Sequence, residues 1–452
     1  MPGQREEARR ALVGLFLFAF GIRCGATFLF DRIGAAVGDP FAGSSDAWAY
    51  DQWARRLAEA WPRGIWLSLE RWNQAGRWDV GFHYVLGAVY WLFGESVVLG
   101  RAVVALFGAL AVVLFFPVAR RVLGPRSAQI AAIAYAVWPT SVAWNGYSVL
   151  RDSLVWTLLM LCVWLALLVW EARWVAILPL GLSLVALRLT RPYAFAAVTI
   201  GLLLAAAAAL GKGWRAGWRP VAAWAAALLG TELLVVVLGF PSLPRMTGRY
   251  ASKRVILQDV DRSPAAAGQA LVYPGSGLSP LHVPHEEPDG FVAPKRLFGP
   301  SLPANAARFL INPPAWAPVE GDIRTSDNWQ LPGMWIWYLI LPLCVAGFAA
   351  GLARRGPGRI VFAGTLIFVF FLVVAGRGDF ARQREMVVPV FLLAAAIGAE
   401  IALARPRRMA SVYAVYLVLF VAGIAYHRHT LRERGLVGSR PPAVSGQYEE
   451  VC

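Results

Sequence analysis

Lysine is almost missing from this chain: of 452 residues only Lys212, Lys253 and Lys295 carry an ammonium, so the net charge of +16 is an arginine charge. Charge of either sign is sparse. Charged residues make up 15% of the chain against 58% hydrophobic, and the mean hydropathy is +0.54. Cysteine is scarce too. Cys24, Cys162 and Cys344 lie in apolar runs and Cys452 is the last residue, which supports neither a disulfide framework nor a zinc site. The C-terminal cysteine has no C-a-a-X context, so prenylation is not indicated. Walker-type phosphate loops, G-x-S-x-G elbows and dinucleotide fingerprints are absent, as are internal repeats and an appended soluble domain.

What the chain does have is apolar runs approaching ~20 residues, again and again, the length that spans a ~30 Å hydrocarbon core. A soluble globular protein would not repeat them. Candidate spans fall at 11–30, 99–119, 127–146, 153–171, 174–187, 193–210, 220–240, 332–352, 359–376, 387–404 and 409–426. The expectation is an all-α polytopic membrane protein of about eleven transmembrane helices. Residues 1–10 are mixed in charge and no small-residue cleavage site follows Phe30, so 11–30 reads as an uncleaved first span. A basic chain can bind nucleic acid, but these arginines fall between apolar runs. Membrane topology and anionic lipid or phosphate partners account for that pattern, and nucleic acid does not.

Val80–Gly94 is apolar but short of a crossing and aromatic throughout, which favours the interface. If it does not cross, the short loops holding Arg120/Arg121/Arg126, Lys212/Arg215/Arg219, Arg354/Arg355/Arg359 and Arg405/Arg407/Arg408 all lie on the side of the N-terminus. The bias of Lys and Arg then puts that side in the cytoplasm. The organisation expected is a cytoplasmic 1–10 and a membrane module 11–240 with first outer loop 31–98. A long outer loop 241–331, helices over 332–426 and an unstructured tail 427–452 follow. The long loop, rich in Pro, Gly and Ala, has short helices expected at 245–257 and 305–311.

Two carboxylates just past the first exit, Asp46 and Asp51, stand out, with Trp48 and Tyr50 between them. Over 46–61, Trp53, Leu57, Ala60 and Trp61 recur at helical spacing, so an amphipathic interfacial helix is expected. Asp46 would open it, where a cap is the plain role unless Ser44 or Ser45 takes it. Asp152, beside Arg151, opens a later span on the same side, where an acidic residue suits the helix dipole. Arg188, Arg191, Arg382 and Arg384 belong to other turns on that side. Any one of them can snorkel, but together their guanidinium forks would suit a phosphate. Arg23 and Glu232 are intramembrane charges, Arg23 able to snorkel outward and Glu232 to find an arginine. His282-x-x-His285-Glu286-Glu287 lies in a proline-broken loop and reads as solvated.

The Asp46/Tyr50/Ala54 spacing, the Leu92-Phe93-Gly94 segment followed by Arg101, Asp152 two spans on, and Arg382/Arg384 ahead of Pro389 come in an order that resembles the C-type glycosyltransferase superfamily. Within it, the resemblance is to the group holding the protein O-mannosyltransferases and lipid A aminoarabinose transferases. It covers most of residues 10–405 through short motifs. The Trp78-Asp79-Val80-Gly81-Phe82 stretch departs from the family's proline-bearing one, so contacts made there do not carry over. The resemblance implies a C-type glycosyltransferase fold and a sugar donor on polyprenyl phosphate. The acceptor would be an envelope glycan, lipid or protein at the extracytoplasmic face of a bacterial inner membrane. Asp46 would be the general base and Asp152 would orient the acceptor or hold a cation such as Arg151. Arg151, Arg191, Arg382 and Arg384 would hold the donor phosphate. Trp48 and Tyr50 would line the substrate, with Asp51 supporting or solvated. No cofactor is required; whether a divalent metal joins Asp46 and Asp152 stays open. Two alternatives remain: an envelope polysaccharide polymerase or ligase using the long loop, and a transporter, which would place polar groups at mid-depth.

Overall fold

The computed structural model describes residues 2–37, 45–64, 80–210, 214–238, 309–310, 326–354, 356–375 and 384–433. All regular structure among them is helical. In chain order the helices are α1 (Pro2–Val37), α2 (Ser45–Ala60), α3 (Gly81–Phe93), α4 (Val97–Val122), α5 (Pro125–Ala136), α6 (Pro139–Tyr147) and α7 (Asp152–Trp170). There follow α8 (Ile177–Thr190), α9 (Pro192–Leu210), α10 (Trp214–Val237), α11 (Ser326–Ala353), α12 (Pro357–Ala375), α13 (Val388–Ala404) and α14 (Pro406–Glu433). Six stretches are long and apolar enough to cross a membrane: Arg9–Ala35, Val97–Val122, Asp152–Trp170, Trp218–Val237, Leu331–Ala353 and Pro406–Tyr426. The chain is thus a helical membrane protein. Shorter apolar helices accompany these, α3, α8, α9, α12 and α13 among them.

Helix boundaries follow local chemistry. Ser96 caps α4, its hydroxyl accepting from the Leu99 amide, and Arg120 and Arg121 close that helix at its negative pole. Prolines open α5, α6, α9, α12 and α14, where a missing N–H costs nothing. One expectation fails here. The span read as 127–146 is two helices, α5 and α6, because Pro139 cannot donate back into α5 and Trp138 before it turns extended. Two limits also move. Residues 31–37 of the expected outer loop are still α1, and α14 runs through Glu433 into the expected tail. Of the long loop, Phe309 and Leu310 are helical, as expected for 305–311; the helix expected at 245–257 and the His282/His285 motif lie outside the described residues.

The core is built on close helix contacts. A Cβ on Gly347 of α11 would strike the Ala394 carbonyl of α13, and one on Gly398 would strike the Leu343 carbonyl, so the two backbones approach as only small residues allow. α4 sits between α1 and α7, and α9 packs on α10 and α12. Helix α3, 13 residues, is about 20 Å long at 1.5 Å per residue, short of a crossing. Its Trp91, Leu92 and Phe93 are exposed while Phe82, His83, Leu86 and Tyr90 are buried.

Candidate functional site

Helix α2 buries Ala47, Tyr50, Asp51, Ala54, Leu57 and Ala58, a spacing of three and four that makes one face. This is not the stripe expected from Trp53, Leu57, Ala60 and Trp61. The tryptophans lie partly buried at the margin, and the alanines turn inward because α3 comes close. A Cβ on Gly87 of α3 would stand 2.9 Å from the Leu57 Cβ and 3.4 Å from the Ala54 carbonyl. Between these helices lies a buried ion pair. Asp51 accepts from the Tyr90 hydroxyl at 2.6 Å and from Arg55 Nε at 2.6 Å, and Arg55 reaches on to Glu95 at 3.1 Å. Burial pulls Arg55 toward its neutral form, but the hydrogen bond and charge of Asp51 outweigh it and its pKa ends above the usual value. Burial, then Asp51, raises the Tyr90 phenol likewise. Asp51 is 1% exposed, so it is not solvated: it clamps α2 to α3, a supporting role.

Asp46 lies in the first turn of α2, exposed, where its charge complements the helix dipole. One turn on, Tyr50 is buried against three partners from two other places in the sequence. Its ring meets His83 at 5.0 Å and Phe82 at 5.5 Å, and the Arg151 guanidinium lies 5.4 Å over it. Next to Arg151, Asp152 opens α7 and pairs with Arg191 at 3.7 Å. The counter-ion across this contact is therefore Arg191, at the end of α8, beyond the chain neighbour Arg151 expected. Arg191 in turn donates to the Tyr193 hydroxyl at 2.6 Å, with its guanidinium 4.8 Å from that ring. The start of α3 abuts the same corner, for a Cβ on Gly81 would stand 2.6 Å from the Thr190 hydroxyl. Tyr50, Arg151, Asp152 and Arg191 thus share one end of the bundle with Asp46 and Trp48. His83 and Tyr193 join them unannounced by the sequence: a lone histidine in an aromatic run carries no spacing signal.

The other arginines are elsewhere. Arg188 pairs with Glu232 of α10 at 3.4 Å, so that intramembrane carboxylate does have its arginine. Arg384 is buried, donates to the Phe309 carbonyl at 3.1 Å, contacts the Met334 sulfur and stacks 5.3 Å from Trp337. These contacts tie it to Phe309, within the long loop, and to α11. Arg382 lies outside the described residues. Among the described residues no three His, Cys, Asp or Glu side chains gather as a metal would need.

A second polar group sits at the α5–α6 break. Arg23 of α1 does not snorkel. It is wholly buried and donates to the Ala19 carbonyl at 3.1 Å and the Ala136 carbonyl at 3.0 Å. Glu385, also buried, accepts from Ser141 at 2.8 Å and from the Trp138 indole at 3.4 Å. A cation therefore meets the negative pole of α5 and a carboxylate the positive pole of α6, each from a different helix. Asn145 continues the group, taking a hydrogen bond from Ser153 at 3.1 Å and donating to the Ser141 carbonyl.

No family model matches this sequence, and comparison with curated proteins finds no match either. Fold and site define a class: a helical membrane protein with one cluster of aromatic, acidic and guanidinium groups at an end of the bundle and a second inside it.

Proposed function

We propose that this is an integral membrane glycosyltransferase that moves a sugar from a polyprenyl-phosphate donor to an envelope glycan, lipid or protein acceptor, with inversion. The observation that carries the reading is the convergence of Tyr50, His83, Arg151, Asp152 and Arg191 at the end where Asp46 opens α2. In this reading the exposed Asp46 carboxylate accepts the acceptor hydroxyl's proton while that oxygen attacks the sugar's anomeric carbon. The bond from that carbon to the phosphate oxygen breaks and its electron pair leaves with the lipid phosphate. Arg151 and Arg191 offset the charge that grows there, with Arg382 a third candidate. Asp152 orients Arg191, and Tyr50 and Trp48 form the floor against which the sugar rests. Arg384 docks the long loop on α11. An apolar crevice between α7, α9, α12 and α13, walled by Met386 and Val387 next to that arginine, suits an isoprenoid tail.

About eleven spans, a cytoplasmic N-terminus and an extracytoplasmic site in a bacterial inner membrane complete the proposal; the basic loops support it through the positive-inside bias. The alanine- and arginine-rich composition points to a high-GC source. The test incubates purified protein with radiolabelled polyprenyl-phosphate sugars and an envelope extract, and transfer of label is expected. Absence of transfer from every donor would sink the reading. One observation favours a transporter instead: a helix broken within the bundle, its ends met by Arg23 and Glu385, is how many transporters hold substrate. Solute uptake by reconstituted vesicles, without transfer of label, would select that reading.

A further inference from the structure

Most buried or half-buried arginines in this protein have a carboxylate. Arg55 has Asp51 and Glu95, Arg101 has Asp31, Arg121 has Glu171, Arg188 has Glu232, and Arg191 has Asp152. Arg405, Arg407 and Arg408 are exposed instead, gathered at one helix junction, and their side chains meet no carboxylate among the described residues. Arg405, closing α13, suits that helix's negative pole. Arg407 and Arg408 stand in the first turn of α14, at its positive pole, where the helix dipole disfavours cations and attracts an anion. The positive-inside bias asks only for cations on that side of the membrane, and those at the end of α4 satisfy it at a helix C-terminus. Here the cations stand exposed at a helix's positive pole, so an anion reaching this face would be held by the guanidinium groups and the dipole together.

The surroundings say what carries that anion. A hollow lined by Arg405, Pro406, Arg407 and Arg408 adjoins, through Arg405, a groove between α11 and α13. Its walls are Ala350, Ile397, Ile401 and Ala404, with Arg354 and Glu400 at the rim. Glu400 is already answered, by Arg354 at 3.6 Å and by the Ser127 hydroxyl at 3.2 Å, so it does not neutralise the trio. The groove is apolar where the trio is cationic. Alongside it α14 leaves Val412, Val415, Val418 and Leu419 exposed, as a helix bordered by hydrocarbon would.

We infer that Arg405, Arg407 and Arg408, with the apolar groove between α11 and α13, form a binding site for an anionic phospholipid. Its phosphate sits on the three guanidinium groups and an acyl chain lies against Ile397 and Ile401. Basic hollows between membrane helices are the setting in which phosphate headgroups are held. The site lies in a different part of the fold from the Asp152 corner, and it rests on the membrane reading alone, not on sugar transfer.

The full-length protein, purified in neutral detergent and stripped of lipid, would be titrated with phosphatidylglycerol, cardiolipin, phosphatidylcholine or inorganic phosphate. Native mass spectrometry would count bound lipid, and thermal unfolding would report protection. Retention of anionic phospholipid with a rise in melting temperature is expected, with phosphatidylcholine and inorganic phosphate much weaker. The combined Arg405→Gln, Arg407→Gln, Arg408→Gln variant should lose affinity roughly a hundredfold. Should that variant fail to insert, Ala404→Trp fills the groove while keeping every charge, and it too should shed the lipid. Equal retention of phosphatidylcholine by wild type, equal protection by inorganic phosphate, or undiminished anionic-lipid binding in either variant would overturn the inference. Sugar transfer is not read in any arm, so failure here leaves the proposed enzyme standing, and the converse holds.

Discussion

Asp46 and Asp51 are five positions apart and do opposite work. Asp51 is sealed between α2 and α3, its oxygens taken by Tyr90 and Arg55. Deleting one member of a buried pair strands the other's charge, so Asp51→Ala should cost about 3 kcal/mol, read as a lowered unfolding midpoint in detergent. A midpoint within a degree of wild type would refute the clamp. Asp46 is exposed, so Asp46→Asn should leave the midpoint close to that of wild type. Under the transferase reading it should cut turnover by roughly 10²–10⁴-fold with little change in donor KM. Unchanged turnover would remove Asp46 as the base while leaving the enzyme class untouched. The sequence brought both aspartates to notice and left Asp51 as supporting or solvated; the structure takes the supporting alternative. A solvated Asp51 fitted the helix periodicity as well as a buried one, and the partner that decides the matter, Tyr90, is 39 residues away.

At the scale of the helix, apolar length and proline were good guides, and side-chain size was a poor one. Ten of the expected spans coincide with single helices or the short turn leading into one, because runs of Leu, Val and Ala leave the backbone no other way to satisfy its amides. The eleventh broke at Pro139, and the proline alone did not say whether the helix would kink or divide. What divides it is help from afar: Arg23 for the open carbonyls of α5 and Glu385 for the start of α6. Neither is visible in residues 125–147. The inward face of α2 was misread for a related reason, since tryptophans attract a hydrophobic stripe while alanines admit a neighbouring backbone. Gly398→Val tests the same principle at the tightest crossing. Added carbon has nowhere to go beside the Leu343 carbonyl, so α11 and α13 must separate. Overpacking of this kind costs about 1–3 kcal/mol, measurable by thermal unfolding, and a neutral result would mean that the two helices sit further apart.

For the whole molecule, the question is which face of the membrane each cluster occupies. Asp46 precedes α3 and Asp152 follows it, so the two share a face only if α3 stays on a single side. Its 13 residues and its exposed Trp91, Leu92 and Phe93 argue that it lies in the interface, anchored by aromatics. That makes the order of sidedness a consequence of one short helix. Cysteines placed at Glu59, before α3, and at Glu95, after it, report it, both positions being exposed. With Cys452 replaced by serine and Cys24, Cys162 and Cys344 enclosed or set in apolar helices, a membrane-impermeant maleimide on intact cells should label the position-59 and position-95 variants alike, and spare an Arg126→Cys control until the membrane is opened. Labelling of only one of positions 59 and 95 would send α3 across the bilayer and take Asp46 and Asp152 to opposite faces, which would remove the shared site on which the proposed chemistry depends.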